Sequence, residues 1–157
     1  HNALWVNLAT GTARTPFWWS YGRNLDNFLA SQQITSIRRF ADEIPFSKLT
    51  NLAPIEVEVS HGDGFAISSD QLTFGWAVNA ASDIVGETIV VKNLKPGKYK
   101  VRLFHTWQGR FFSETEVETA GEIVLAVPVQ RIERTHARYF GQDAAFILEY
   151  LSPLSSR

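Results

Sequence analysis

"GKYKVRLFHTWQGRFFSETEVET", Gly97–Thr119, holds two strand-like runs that meet at a turn around Gly109. The second run closes on "TEVET", where apolar and acidic residues alternate as they do on a strand with one wet face. Just ahead lies "NLKPGKY", in which Pro96 presets φ and Gly97 is free to take a positive φ, so this piece reads as a turn. Working outward, the same pattern holds from Pro54 on: "IEVEVS", "GFAISS", "LTFGWAVN", "TIVVKNL", "EIVLAVPV" and "AAFILEYL" are short β-rich runs divided by turn residues. "IEVEV" also alternates apolar and acidic residues. Together these make about eight strands with no helix between them, which predicts an antiparallel β-sandwich.

The residues before Pro45 follow a different pattern. "NALWVNLATG" puts Leu4, Trp5 and Leu8 at helical spacing and leads to Gly11, a helix C-cap by type. "TPFWWSYG", Thr15–Gly22, has no helical period; short, aromatic, headed by a proline and closed by a glycine, it suits a strand buried on both faces. "NLDNFLASQQITSIRRFADEI" then offers Asn24 as an N-cap and apolar residues at Leu25, Phe28, Leu29, Ile34, Ile37 and Phe40, until Pro45 stops it. The chain is thus expected to divide into an αβα segment over 1–48 and a sandwich over 53–152. A lone αβα unit cannot cover both faces of its strand, so it must dock on the sandwich or on a barrel that is mostly missing.

Composition narrows the function. A chain of 157 residues, 45% hydrophobic, can bury a real core in one ordinary domain or a moderate domain with an appendage. Its net charge of -1, without a basic run, gives no footprint for nucleic acid and no polybasic patch for a membrane surface. No apolar run approaches the roughly 20 residues of a membrane span. Cysteine is absent, which excludes disulfides, thiolate metal sites and cysteine nucleophiles together. Methionine is absent too, so a chain that begins at His1 is expected to be a processed product or a piece of something longer.

Several stretches resemble a known family. "HNALWVNLATGTARTPFWW" is similar to the "HNxLWAxLxxGAAGTPxxWW" passage near the end of the barrel in a group of bacterial (β/α)8 glycoside hydrolases, akin to the retaining cellulase and xylosidase families. "LKPGKYKVRLFHTWQG" and "QDAAFIL" stand where that group's C-terminal sandwich carries "LxPGxYxVxxxDTxTG" and a late "DxAxxI". Arg14 replaces a usual glycine, Ser20 and Tyr21 replace frequent tryptophan or aspartate, and His105 stands where aspartate often sits. The resemblance implies that Thr15–Gly22 is the eighth barrel strand and that Trp18 or Trp19 floors the sugar subsite nearest the cleaved bond, one of the two facing inward and the other the helix layer. It places His1 near the rim of the barrel's active site, with disorder as the alternative for a chain end. It also implies a secreted or cell-surface protein whose partners are a polysaccharide or oligosaccharide and the rest of the parent barrel.

Retaining glycosidases need two carboxylic acids about 5–5.5 Å apart. In the resembled family these lie on the fourth and seventh barrel strands, upstream of His1, so this chain is expected to hold no catalytic residue. Glu114, Glu116 and Glu118, like Glu56 and Glu58, read as solvated sheet faces. His1, His61, His105 and His136 share no metal-ligand spacing, and "HGDG", His61–Gly64, reads as a turn rather than a calcium loop, so no metal is expected. Without a GxSxG elbow, phosphate loop or dinucleotide fingerprint, no cofactor is expected either. Sugar binding is different, because an aromatic face can lie against a pyranose while polar neighbours bond its hydroxyls. "HTWQGRFF" supplies Trp107, Gln108 and Arg110 for that purpose, Trp107 being either a ligand platform or a contact with the barrel. Trp5 and Trp76 read as packing, as does at least one of Phe111 and Phe112; Tyr139 and Phe140 are weaker platforms. The readings that follow are the C-terminal part of a glycoside hydrolase, a self-standing carbohydrate-binding module, or a structural or adhesive module without sugar affinity.

Overall fold

The computed structural model describes residues 1–12, 28–79, 81, 84, 86–127 and 142–154, with backbone alone at 28–30. The stretch Thr15–Gly22 and the N-cap at Asn24 lie outside the described residues. Nine strands are described, all pairing antiparallel: β1 (Ala53–Ile55), β2 (Val57–Val59), β3 (Asp63–Ser68), β4 (Leu72–Val78), β5 (Thr88–Val91), β6 (Gly97–His105), β7 (Arg110–Thr119), β8 (Ile123–Ala126) and β9 (Asp143–Ser152). Six form one sheet in the order β1-β3-β4-β9-β6-β7, and three form a second in the order β2-β5-β8. The chain is mostly β and builds the expected sandwich.

One run behaves differently from its reading. "IEVEVS" is divided between the sheets: Ile55 pairs with Ala66 in the large sheet, whereas Val57 pairs with Val91 in the small one. The switch falls at Glu56. Ile55, Val57 and Val59 are half-buried while Glu56 and Glu58 are exposed, so the period-two pattern runs unbroken through the corner. Pro54, which has no N–H for the ladder, sits on β1, an edge strand of the large sheet.

Side-chain alternation sends the large sheet's residues into two separate cores. Ala77, Tyr99, Val101, Leu103, Phe146 and Leu148 face the small sheet and pack with its Ile89, Val91, Ile123 and Leu125. Phe74, Trp76, Val78, Phe104, Ala145 and Ile147 point the other way. That second face is covered by α1 (Asn2–Ala9) and by α2 (Phe28–Asp42), which supply Trp5, Ala9 and Phe40, with Ile44 just beyond. β4 lies between two covers and is buried at every position, which explains why "LTFGWAV" is nearly all apolar rather than alternating.

Both helices follow their sequence signals. α1 ends with Gly11 at φ +66°, whose N–H bonds the Leu8 carbonyl at 3.3 Å while Thr12 N–H bonds that of Asn7 at 3.0 Å. This is the Schellman arrangement, and it requires a left-handed residue at Gly11. On α2, buried residues recur at Gln33, Ser36 and Phe40, so the covering face is mixed: polar toward its N-terminal half and apolar toward the end. Trp5, only 1% exposed, meets Phe40 edge-on at 5.3 Å between ring centres, and Phe40 meets Phe104 at 5.2 Å. Trp76 is buried as expected.

Away from the helices the same face of the large sheet is wet. Lys100 pairs with Glu114 at 3.0 Å, Lys98 pairs with Glu116, and Arg102 reaches Glu43 at 2.7 Å. Such exposed pairs contribute about 0–1 kcal/mol each, and their clearer effect is to charge the β7 edge against pairing with another chain.

The ring cluster between helices and sheet sets an expectation for stability. Phe40→Ala is expected to lower the unfolding free energy by about 3–5 kcal/mol, since it empties a packed site on both the helix and the sheet side. Urea denaturation followed by circular dichroism measures it; a loss below about 1 kcal/mol is what a surface residue would show.

Candidate functional site

The turn between β6 and β7, residues 105–110, is where the helical segment and the sandwich meet through polar groups. Its geometry starts at His105, 2% exposed, whose Nδ1 accepts hydrogen bonds from the backbone N–H groups of Trp107 and Gln108, each at 3.3 Å. An aspartate side chain commonly closes a turn in this manner, and here the histidine ring does so. Gly109 completes the turn at φ +65°, and its N–H bonds the His105 carbonyl at 2.8 Å. A Cβ on Gly109 would meet Ser36 Cα at 3.3 Å, so glycine serves both the left-handed backbone and the close approach of α2.

α2 holds the turn by its carbonyls. Ser36 donates its hydroxyl hydrogen to the Thr106 carbonyl, Gln32 Nε2 donates to that of Trp107 at 3.4 Å, and Arg39 Nη1 to that of Gly109 at 3.4 Å. From the other side the His1 imidazole stacks on the Trp107 indole, ring centres 4.2 Å apart and planes 17° from parallel. His1 Nδ1 bonds the Gln33 side chain and its Nε2 bonds Asp143 Oδ2 at 2.8 Å. The Trp76 indole N–H donates to the same carboxylate oxygen at 2.6 Å. Asp143, the first residue of β9 and 2% exposed, thereby joins the chain's first residue to the centre of the large sheet. Both donors are needed, because a buried carboxylate without partners is costly.

Gln33 Nε2, Thr106 Oγ1 and Asp143 Oδ1 stay buried here without a hydrogen-bond partner among the described residues, and no nucleophile is among the groups that contact His1. Among the described residues, no three His, Asp or Glu side chains are grouped as metal ligands, and no helix is long and apolar enough to cross a membrane. Of the "HGDG" segment, His61 and Gly62 form the turn and Asp63 and Gly64 open β3, with His61 Nδ1 3.1 Å from Glu87 Oε2.

Beside the turn lies a cleft of about 280 Å³ bordered by Gln32, Ser36, Arg39, Trp107, Gln108 and Gly109. Of the substrate-binding residues expected from sequence, Trp107 and Gln108 border this cleft, and Arg110 stands next to it with Nε donating to Gln108 Oε1 at 2.8 Å. Trp18 and Trp19, like Tyr139 and Phe140, lie outside the described residues. Phe111 and Phe112 split between the two cores because adjacent strand residues point to opposite faces; Phe112 is the extra residue of a bulge opposite the Leu103–Phe104 step. Sequence reading missed the contributions of α2. Gln33 and Ser36, buried polar residues in an otherwise apolar helical series, were the signal that this face meets polar backbone.

No protein-family model matches the chain, and no curated protein sequence matches it. Among solved structures the chain is similar to a glycoside hydrolase with a TM-score of 0.53 and 13% identity, over 92% of this chain and 29% of that one. A family 5 glycoside hydrolase from Bacteroides vulgatus aligns at a TM-score of 0.47 and 13% identity, over 85% of this chain and 26% of that one. The first likeness is one of fold, and the chain spans less than a third of that structure's length.

Burial pushes the His105 imidazole down to about 4; the Asp143 carboxylate opposes this, and the Arg110 charge adds to it. In the unfolded chain a histidine titrates near 6.5, so between about pH 6.5 and 4 the unfolded state binds more protons. Stability is therefore expected to fall as pH drops through that window and to be insensitive to this group above it. The His105 ring signals in NMR, followed from pH 7.5 to 4, are expected to stay neutral until close to pH 4; a midpoint near 6.5 would place the ring in water. Gly109→Ala is expected to cost about 1–2 kcal/mol from the left-handed backbone, read as a lowered urea midpoint.

Proposed function

We propose that the chain is the C-terminal part of a glycoside hydrolase that acts on a polysaccharide or oligosaccharide outside the cell or at its surface. Residues 1–48 would be the last unit of a (β/α)8 barrel and residues 53–152 its accessory sandwich. The observation that carries this reading is the seating of α1 and α2 on the large sheet, through Trp5, Phe40 and the His1–Asp143 bond. The fold likeness supports it, since 92% of this chain matches 29% of a glycoside hydrolase and leaves room for a barrel in the remainder. The sandwich then fixes the barrel's closing helices, and the two catalytic carboxylates come from the missing part. One of Trp18 and Trp19 lines the sugar subsite.

The gene upstream of codon 1 provides the test. It is expected to continue in frame into a barrel with a strand-end glutamate a few tens of residues before His1. The longer product is expected to hydrolyse aryl glycosides and to lose that activity when this glutamate becomes glutamine, while residues 1–157 alone are inactive. An upstream sequence with no such glutamate would overturn the reading.

A second reading, in which the sandwich itself binds saccharide, is favoured by the cleft beside Trp107. Affinity electrophoresis on plant and bacterial polysaccharides tests it: retardation that Trp107→Ala removes is the expected result. Uniform absence of retardation would leave a purely structural or adhesive module.

A further inference from the structure

The arginines beside Trp107 differ from the other described arginines in how they are neutralised. Of the four described arginines, Arg38 lies 3.7 Å from Asp42 and Arg102 lies 2.7 Å from Glu43. The other two, Arg39 and Arg110, make no ion pair with any described carboxylate; the first lines the cleft beside Trp107 and the second stands next to it. Arg39 borders it directly, and Arg110 is tied to it through Gln108 Oε1 at 2.8 Å. Among the described residues no aspartate or glutamate borders the cleft. The other side chains along it are the hydroxyls of Ser31 and Thr35, the amides of Gln32 and Gln108, and the Trp107 indole.

Each group has a chemical counterpart on one kind of ligand. A guanidinium is weakly hydrated and presents a planar fork that fits a carboxylate or a sulfate with two parallel hydrogen bonds. Amides and hydroxyls bond a polyhydroxylated ring, and an indole supplies an apolar surface for its C–H groups. Gln108 is also fixed, because its oxygen is held by Arg110 and its amide N–H groups remain to donate. At about 280 Å³ the cleft has room for about one sugar residue.

Resting on the saccharide reading of this cleft, we propose that it takes a single anionic pyranose residue, a uronate or a sulfated sugar. The anion would lie against Arg39 and Arg110, and the ring beside Trp107 and Gln108. The partner is then an acidic glycan rather than a neutral one.

Calorimetric titration of the full chain with trigalacturonate, a sulfated disaccharide and neutral cellotriose tests this. At least one acidic ligand is expected to bind tenfold or more tightly than cellotriose, and more weakly as salt is raised. Arg39→Ala is expected to cost about tenfold in affinity for it, the loss of one charge-assisted contact. Arg39→Lys should recover only part of this, whereas Arg38→Ala, one position along and paired with Asp42, leaves affinity unchanged. Each variant is checked by circular dichroism for an intact fold at the titration temperature. Equal binding of cellotriose, lost in Trp107→Ala, would overturn the preference for an anion while leaving saccharide binding intact. No binding by any of the three would overturn both. Acidic-sugar binding indifferent to Arg39→Ala and Arg110→Ala together would place the ligand elsewhere and overturn the assignment.

Discussion

In the large sheet, β4, β9 and β6 carry apolar side chains on both faces, so neither face can be left to water. One face is covered by the small sheet in the manner of any sandwich. The other presents Phe74, Trp76, Phe104 and Ile147, a surface too large and too apolar to stand exposed, and α1 and α2 lie on it. The helical segment is therefore a structural requirement of the sandwich as much as a neighbour of it. Where the apolar cover ends, the same face turns into lysine and glutamate pairs that need no cover.

Placing helices on a sheet brings backbone polar groups with it, and the turn at 105–110 is where they collect. Its carbonyls would be stranded under α2 if Ser36, Gln32 and Arg39 did not donate to them. Asp143 plays the matching role beneath His1, receiving one bond from the chain's first residue and one from Trp76 in the sheet. The cleft follows from this arrangement. Polar side chains recruited to satisfy a buried turn continue to its rim, where Arg39, Gln108 and Trp107 surround a space large enough for one sugar.

Much of this was legible in the sequence because it is locally encoded. Alternation in "IEVEV" and "TEVET" marked the wet faces, and Gly11 marked the end of α1. The sheet switch at Glu56 was not legible: alternation is the same whichever sheet a strand joins, and no extra residue or glycine marks the corner. The His1–Asp143 bond joins residues 142 positions apart and leaves no local trace. For the site, a single turn could nominate Trp107, Gln108 and Arg110, but the α2 partners that shape the cleft are fixed only by packing. Arg39 in particular reads as one of two adjacent surface arginines until α2 is laid across the turn.

If covering the second face is what holds the helices and sheet together, they must open together. Native-state hydrogen exchange, measured across a series of low denaturant concentrations, compares the amides of α2 with those of β4 and β9 directly. The slowest amides of all three are expected to converge on one opening free energy and one denaturant slope. Exchange of α2 through a separate, lower-energy opening, with β4 and β9 still protected, would show that the sandwich stands without its helical cover and would contradict the account.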